Sequence, residues 1–341
     1  MSLQRSSSLG LLVALVWTGA ASAQSQPPTE PPADWGVTAI DYSNVPYPYP
    51  VDYLDVEVDG RHLRMAYMDA PPVGTPNGRT VVLFHGFNFA GYAFGPTMEI
   101  LRNEGFRTVA IDRIGFGRSS KPIMHYDFDI PARNTKLLLD HLGINQAAVA
   151  GHSMGGMVAS RFGMRYPQTA SHVVFINQIG LTDTRPGRPW TEPSYNGEKP
   201  TPQEHYERVL RGQLRYYNQG WKPEYLHWVE APFGLVYSGE FDRWQEVRAR
   251  LGTAISNDPV AYDWQHISSK ALVIGGADDQ LRPDFAADAR RVAESLQNAE
   301  LVLYPGIGHN PQFEYSEQFH ADLIRFLRSD PDEPADQSWR N

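Results

Sequence analysis

The residues best suited to chemistry in this 341-residue chain sit on three short loops rich in glycine. Gly151-His152-Ser153-Met154-Gly155 falls between an apolar run at 147–150 and a helix-like stretch at 154–165. A serine on a sharp strand-to-helix turn holds its hydroxyl clear of the backbone at a helix N-terminus, and small neighbours leave room for the turn. Serine at its ordinary pKa is a weak nucleophile and needs a base that a carboxylate orients. Two further loops supply those residue types in chain order. Gly275-Gly276-Ala277-Asp278-Asp279 follows an apolar run at 271–274, and Gly306-Ile307-Gly308-His309 follows another at 301–304. Either acid fits the orienting role, and either fits equally as a cap on a helix beginning near Pro283. The chain has no Cys, which excludes thiolate catalysis, disulfides and Cys-ligated metals.

These loops can meet only if the runs before them are neighbouring parallel strands, because ligands of open α/β sheets bind beyond the strands' carboxyl ends. Buried-strand runs at 80–84, 108–111, 147–150, 172–176, 271–274 and 301–304 alternate with amphipathic stretches such as 130–142 and 319–327. That rhythm predicts an α/β fold, a mostly parallel central sheet with helices on both faces. Before it, runs at 53–58 and 62–68 flank Asp59-Gly60 and predict a hairpin. The rhythm breaks over 178–266, which holds five of the eight Trp residues (190, 221, 228, 244 and 264) and no obvious buried strand. It reads as a helical cap over the sheet, splitting the core into 51–177 and 267–328. The cap aromatics Tyr195, Tyr206, Tyr216, Tyr217, Phe233, Tyr237 and Phe241 suit either a substrate pocket or the lid's own core, so no single substrate-binding residue is assigned within 178–266.

The flanks differ in character. Residues 1–23 carry a single charge, Arg5, an apolar run at 9–16 and the small-residue pattern Ala21-Ser22-Ala23. They predict a signal peptide cleaved after Ala23, with export to the periplasm or beyond the cell; a retained anchor is the alternative. The apolar run falls short of the ~20 residues of a membrane span, so no stable insertion is expected after cleavage. Residues 24–50 hold seven prolines and form an arm or linker, while the acidic, proline-broken 329–341 is expected to fray. A net charge of −9 argues against nucleic acid as a partner. No histidine lies at metal-ligand spacing beside carboxylates, so neither metal nor cofactor is implied, and nothing in the pattern sets an oligomeric state.

Five motifs in order then carry a family resemblance: His85-Gly86-Phe87, the turn Asp112-Arg113-Ile114-Gly115-Phe116-Gly117-Arg118-Ser119, the elbow at Ser153, Gly276-x-x-Asp279-x-x-x-Pro283 and Gly308-His309-x-Pro311. From about Tyr53 to Leu327 the chain resembles the α/β-hydrolase superfamily, in the capped branch that includes epoxide hydrolases, dehalogenases, esterases and C–C bond hydrolases. The resemblance implies a triad of Ser153, Asp279 and His309, choosing Asp279 over Asp278 by its spacing from Gly276 and Pro283. It implies an oxyanion hole made by the N–H groups of Phe87 and Met154, and a structural rather than catalytic His85. Many relatives carry proline one position after the Phe87 equivalent; this chain carries Asn88.

Serine at the elbow sorts the branch. Epoxide hydrolases and dehalogenases use aspartate there, because water must later attack an acyl carbon that an alkyl ether of serine lacks. Ser153 therefore points to acyl transfer, with a small-molecule carboxylic ester or lactone as substrate. A C–C bond hydrolase or a perhydrolase on the same triad is the alternative. A non-enzymatic binding protein on this scaffold would ordinarily lose a triad member, and all three residue types are present.

Overall fold

A computed structural model describes residues 26–188, 193, 195 and 197–340. The expected signal segment lies outside the described residues, as do Pro189 and Trp190 of the cap. Eight strands build one sheet: β1 (Asp52–Val58), β2 (Arg61–Ala70), β3 (Thr80–Phe84), β4 (Arg107–Ile111), β5 (Ala147–His152), β6 (Ala170–Ile176), β7 (Lys270–Gly276) and β8 (Ala299–Tyr304). Their order is β1-β2-β4-β3-β5-β6-β7-β8. β2 runs antiparallel to both β1 and β4, and the other pairings are parallel. The hairpin between β1 and β2 turns at Asp59 (φ 51°) and Gly60 (φ 72°), the two left-handed residues of the tight turn that suits strand twist.

The period-two alternation of strand side chains explains why helices cover both faces. Along β3, Val82 and Phe84 enter a core shared with α2 (Asp129–His141), α3 (Met154–Arg165) and α7 (Phe285–Ser295). Val81 and Leu83 enter the opposite core, with α1 (Gly95–Asn103) and α8 (Ser316–Arg328). Burial on both faces explains why β3 reads as an unbroken apolar run. The chain moves from β3 to β4 on one side and then to β5 on the other, so the order reverses across the β3/β5 boundary. In open α/β sheets that reversal opens a crevice at the strands' carboxyl ends.

Between β6 and β7 the cap contributes α4 (Pro202–Leu214), α5 (His227–Gly234) and α6 (Phe241–Asn257). Thr201 and Glu204 close a reciprocal capping box that fixes the start of α4. The cap has its own aromatic core, in which Tyr206, Tyr216, Tyr217, Phe233 and Phe241 are buried, while Tyr237 stays exposed.

The proline-rich segment is an arm that packs against both cap and core. Tyr206 Oη donates to the Pro28 carbonyl at 2.8 Å, Thr38 N–H donates to the Gly234 carbonyl at 3.0 Å, and Trp35 lies against Tyr206 and Phe233. Farther along, Tyr47 Oη donates to Asp112 at 2.6 Å and Arg118 donates to the Val45 carbonyl at 2.9 Å. The C-terminal tail does not fray as its composition suggested. Trp339 Nε1 donates to the Ala299 carbonyl at 3.1 Å, and Ala335, itself buried, donates to Asn298 Oδ1 at 2.6 Å. Proline prevents helix here but not docking along the edge strand β8. Among the described residues no helix is long and apolar enough to cross a membrane.

Candidate active site

Each expected site residue stands at the carboxyl end of a parallel strand. Phe87 follows β3, Ser153 follows β5, Asp279 follows β7 and His309 follows β8, while Met154 opens α3. Phe87 and Ser153 flank the reversal in strand order. Ser153 has φ 55° and ψ −120°, a left-handed backbone that costs a non-glycine residue about 1–3 kcal/mol and is the mark of a strained turn. The turn is possible because Gly151 and Gly155 lack Cβ atoms: one at Gly155 would lie 2.0 Å from the Phe84 carbonyl oxygen, and one at Gly151 would lie 2.1 Å from the Gly155 oxygen.

The structure brings His309 and Asp279 together and leaves Asp278 elsewhere. His309 Nδ1 donates to Asp279 Oδ2 at 2.6 Å, with both side chains 1% exposed. A carboxylate only accepts, so the ring proton is on Nδ1 and Nε2 keeps its lone pair. Asp279 also accepts from Leu281 N–H at 2.9 Å and from Asn177 Nδ2 at 3.1 Å. Burial pushes the Asp279 carboxyl up, but the His309 charge and these hydrogen bonds outweigh it and hold the carboxyl below its ordinary value. Asp278 is exposed, and its carboxylate accepts from Gly306 N–H at 2.6 Å.

The His309 backbone and ring are fixed on every side but one. Its N–H donates to the Tyr216 carbonyl at 2.9 Å, and His152 Nε2 donates to its carbonyl at 3.0 Å. The Tyr216 ring stacks on the imidazole with centroids 5.1 Å apart, and the His152 ring lies 4.9 Å away. Burial, and then the His309 charge, push His152 down to about 3, so it is a neutral donor throughout the working range. Ser153 Oγ is not hydrogen-bonded to His309 among the described residues. Such looseness is usual for a nucleophile and base before substrate fills the site.

Neither Phe87 N–H nor Met154 N–H donates to another described residue. The peptide that carries Phe87 N–H is held through its own carbonyl: Gly86 O accepts from His85 Nδ1 at 2.7 Å and from Phe89 N–H at 3.3 Å. Arg113 Nη2 in turn donates to the His85 carbonyl at 2.8 Å. His85 thus orients a donor without touching substrate. Asp112, in the following turn, accepts from Gly91 N–H at 2.6 Å, Arg118 N–H at 2.7 Å and Tyr47 Oη.

Sequence reasoning missed four contributors. Asn177, at φ 39° just past β6, donates to Asp279 and accepts from Gly276 N–H at 2.9 Å. Its signal was its place at the end of a strand run next to the elbow's strand. Tyr216 and Arg248 reach the site from the cap with no motif to mark them, Arg248 through a hydrogen bond to the Phe87 carbonyl; His152 lies inside the elbow motif, but the motif gives no sign of its bond to the His309 carbonyl. Among the described residues no group of three His, Cys, Asp or Glu is arranged to hold a metal ion.

With this geometry in hand, likeness to known proteins is informative. The profile of the alpha/beta hydrolase family matches residues 81–322. The crystal structure of a probable hydrolytic enzyme from Pseudomonas aeruginosa superposes with a TM-score of 0.77 at 32% identity, over 86% of this chain and 99% of that one. A bifunctional esterase/perhydrolase of Acinetobacter calcoaceticus is 27% identical over 284 residues, 74% of this chain and 94% of its own. A 2-hydroxy-6-oxononadienedioate/2-hydroxy-6-oxononatrienedioate hydrolase of Burkholderia vietnamiensis is 27% identical over 289 residues, 81% of this chain and 95% of its own.

Proposed function

This chain belongs to the alpha/beta hydrolase family and is a hydrolase, and on that premise we propose that it cleaves a carboxylic ester or lactone through an acyl-enzyme on Ser153. The observation that carries this reading is the buried 2.6 Å bond from His309 Nδ1 to Asp279, which leaves Nε2 with a free lone pair as the base. His309 Nε2 takes the Ser153 proton as Oγ attacks the substrate carbonyl. The tetrahedral oxyanion is received by Phe87 and Met154 N–H, each worth about 3 kcal/mol in the transition state. His309 then returns the proton to the leaving alcohol. Water, deprotonated by the same nitrogen, attacks the acyl carbon and frees Ser153. Asp279 keeps the imidazole in the required tautomer and stabilises its charged form.

The test is a panel of chromogenic acyl esters of graded chain length, run with the wild type and with Ser153→Ala. Hydrolysis by the wild type should fall by several orders of magnitude in the variant, and an organophosphonate should label Ser153. Equal rates for the two proteins would overturn the acyl-enzyme reading. The Acinetobacter relative's description as esterase and perhydrolase favours one extension, in which hydrogen peroxide replaces water and releases a peracid. Peracid formation in the same assay, with peroxide added, reads it out. Export is part of the proposal, and a mature chain beginning at Gln24 is its readout by mass spectrometry.

A further inference from the structure

Between the oxyanion loop and the cap lies a cavity of about 310 Å³. Phe87 and Asn88 line it from the core, His205, Arg208 and Gln213 from α4, and Arg248 from α6. Its lining carries two guanidinium groups and no carboxylate. Asn88 stands where many relatives have proline, and its side chain joins the cavity to the catalytic histidine. It accepts from Arg248 Nη2 at 2.8 Å and donates to Tyr216 Oη at 2.6 Å, and the Tyr216 ring stacks on His309.

Arg248 has no acidic partner among the described residues. Arg107, Arg161, Arg282 and Arg325 each pair with a carboxylate, whereas no carboxylate among the described residues forms an ion pair with Arg248. Its guanidinium lies 4.2 Å from the centroid of Phe87 and 5.1 Å from that of Trp244, and Nη1 donates to the Phe87 carbonyl at 3.3 Å. Two of its five N–H donors are used on neutral acceptors, which leaves three. Desolvation holds the group below its ordinary value, and the only opposing influences are Tyr42 and Tyr216. A partly buried guanidinium offset only by neutral acceptors is an incomplete ion pair.

Two further cavity residues are also incomplete. His205 is 2% exposed and Gln213 1%. His205 Nε2 donates to the Pro232 carbonyl at 3.0 Å, so Nδ1 holds a lone pair, and neither that nitrogen nor Gln213 Oε1 has a hydrogen-bond partner. Both atoms are closed off from the cavity by their own burial, so the group it offers a ligand beside the candidate oxyanion donor is the Arg248 guanidinium, whose planar fork matches a carboxylate through two parallel N–H donors.

We propose that this cavity binds a carboxylate carried by the ester substrate, with Arg248 as its recognition residue. The inference rests on the proposed ester hydrolysis and names the substrate class for it. The carboxylate can belong to the acyl chain or to the leaving alcohol, and the substrates in the test separate the two.

Two measurements on the purified protein decide it. In the first, kcat and KM are compared for the glutarate mono-4-nitrophenyl ester against 4-nitrophenyl butyrate, and for 4-acetoxybenzoate against phenyl acetate. One of the carboxylated esters should be preferred by at least about tenfold in kcat/KM, through KM, and the favoured pair says which side carries the group. Arg248→Met should bring that ratio near one, and Arg248→Lys, which keeps the charge, should retain part of it. In the second, Ser153→Ala protein is titrated with glutarate by calorimetry, and the binding should vanish when Arg248→Met is added. If neutral and carboxylated esters are cleaved alike and glutarate gives no heat, the inference fails while the hydrolase reading stands. If the Lys variant behaves like the Met variant, or inorganic phosphate binds more tightly than glutarate, the carboxylate assignment is overturned. If no ester is hydrolysed yet glutarate binds through Arg248, the hydrolase reading fails and the site survives.

Discussion

Replacing Asp279 by asparagine removes a charge from this site while keeping its shape, and the hydrogen-bond pattern leaves the amide no good orientation. Asp279 Oδ2 accepts from His309 Nδ1 and Asn177 Nδ2, and Oδ1 accepts from Leu281 N–H. An amide with its oxygen toward His309 points its NH₂ at the Leu281 N–H, donor against donor. Turned the other way, its NH₂ opposes the Asn177 amide and forces the imidazole proton from Nδ1 to Nε2, the nitrogen that must accept the serine proton. Wrong tautomer and lost charge together should lower kcat by about 10³–10⁴-fold, or roughly 4–5.5 kcal/mol of transition-state stabilisation. Asp278→Asn is the internal control: its carboxylate accepts from Gly306 N–H on the exposed side of the loop, and an amide oxygen can do the same. It should change kcat by less than about threefold, under roughly 0.7 kcal/mol. The assay is steady-state hydrolysis of a short-chain 4-nitrophenyl ester at neutral pH, with thermal melts to establish that both variants fold. Comparable losses in the two variants, or a folded Asp279→Asn protein that keeps more than about a tenth of kcat, would refute the reasoning.

Three further perturbations test the fold that holds the site. Burial, then the charges of Arg79 and Lys270, push His172 down to about 4, so between that value and the ordinary ~6.5 the unfolded chain binds a proton that the folded protein does not. Stability should therefore fall with acidification across that window by up to about 1.4 kcal/mol per pH unit from this residue, and His172→Gln should flatten the slope measured by urea unfolding; unchanged slopes would count against it. Tyr47→Phe removes one of the three described donors to the buried Asp112 carboxylate and should cost about 1.5–3 kcal/mol in denaturant unfolding. Gly155→Ala sets a Cβ 2.0 Å from the Phe84 carbonyl, and since backbone must move to relieve it, at least about 3 kcal/mol of stability should be lost in the same measurement.

What could be read from the residues follows from how local each signal is. The runs over β3 and β5 are buried on both faces and announce themselves as apolar, and the elbow is legible because Gly151, Ser153 and Gly155 lie within five positions. The choice between Asp278 and Asp279 was not local. Residue types allowed either, and only spacing shared with a family separated them before the geometry put Asp279 against His309. Asn177, Tyr216, Asn88 and Arg248 were illegible for a different reason. Each acts through tertiary hydrogen bonds or ring contacts to partners at least 50 positions away, and composition holds no trace of such pairings. The tail failed in the opposite direction: its prolines and acids do forbid helix and core, yet Trp339 and Ala335 supply enough to dock it along β8.

The arm changes how the cap must be understood. A lid joined to the core only at its two ends could swing as a unit, but residues 28–47 run from α4 and α5 down to the Asp112 turn beneath the oxyanion loop. Asp112 also accepts from Gly91, a few residues beyond Asn88, so the arm and the loop share one anchor. From the other side, the cap reaches the same loop through Arg248 on Phe87 and Asn88, and reaches His309 through Tyr216. The proposed catalytic histidine and one proposed oxyanion donor are thus held between two cap contacts, on a cap that the arm also binds. Signal cleavage after Ala23 would leave only four residues before Pro28, the first described residue to bond the cap. A cut a dozen residues later would remove the Pro28 carbonyl from Tyr206 and Trp35 from its packing on Tyr206 and Phe233, the contacts that tie the arm to α4 and α5.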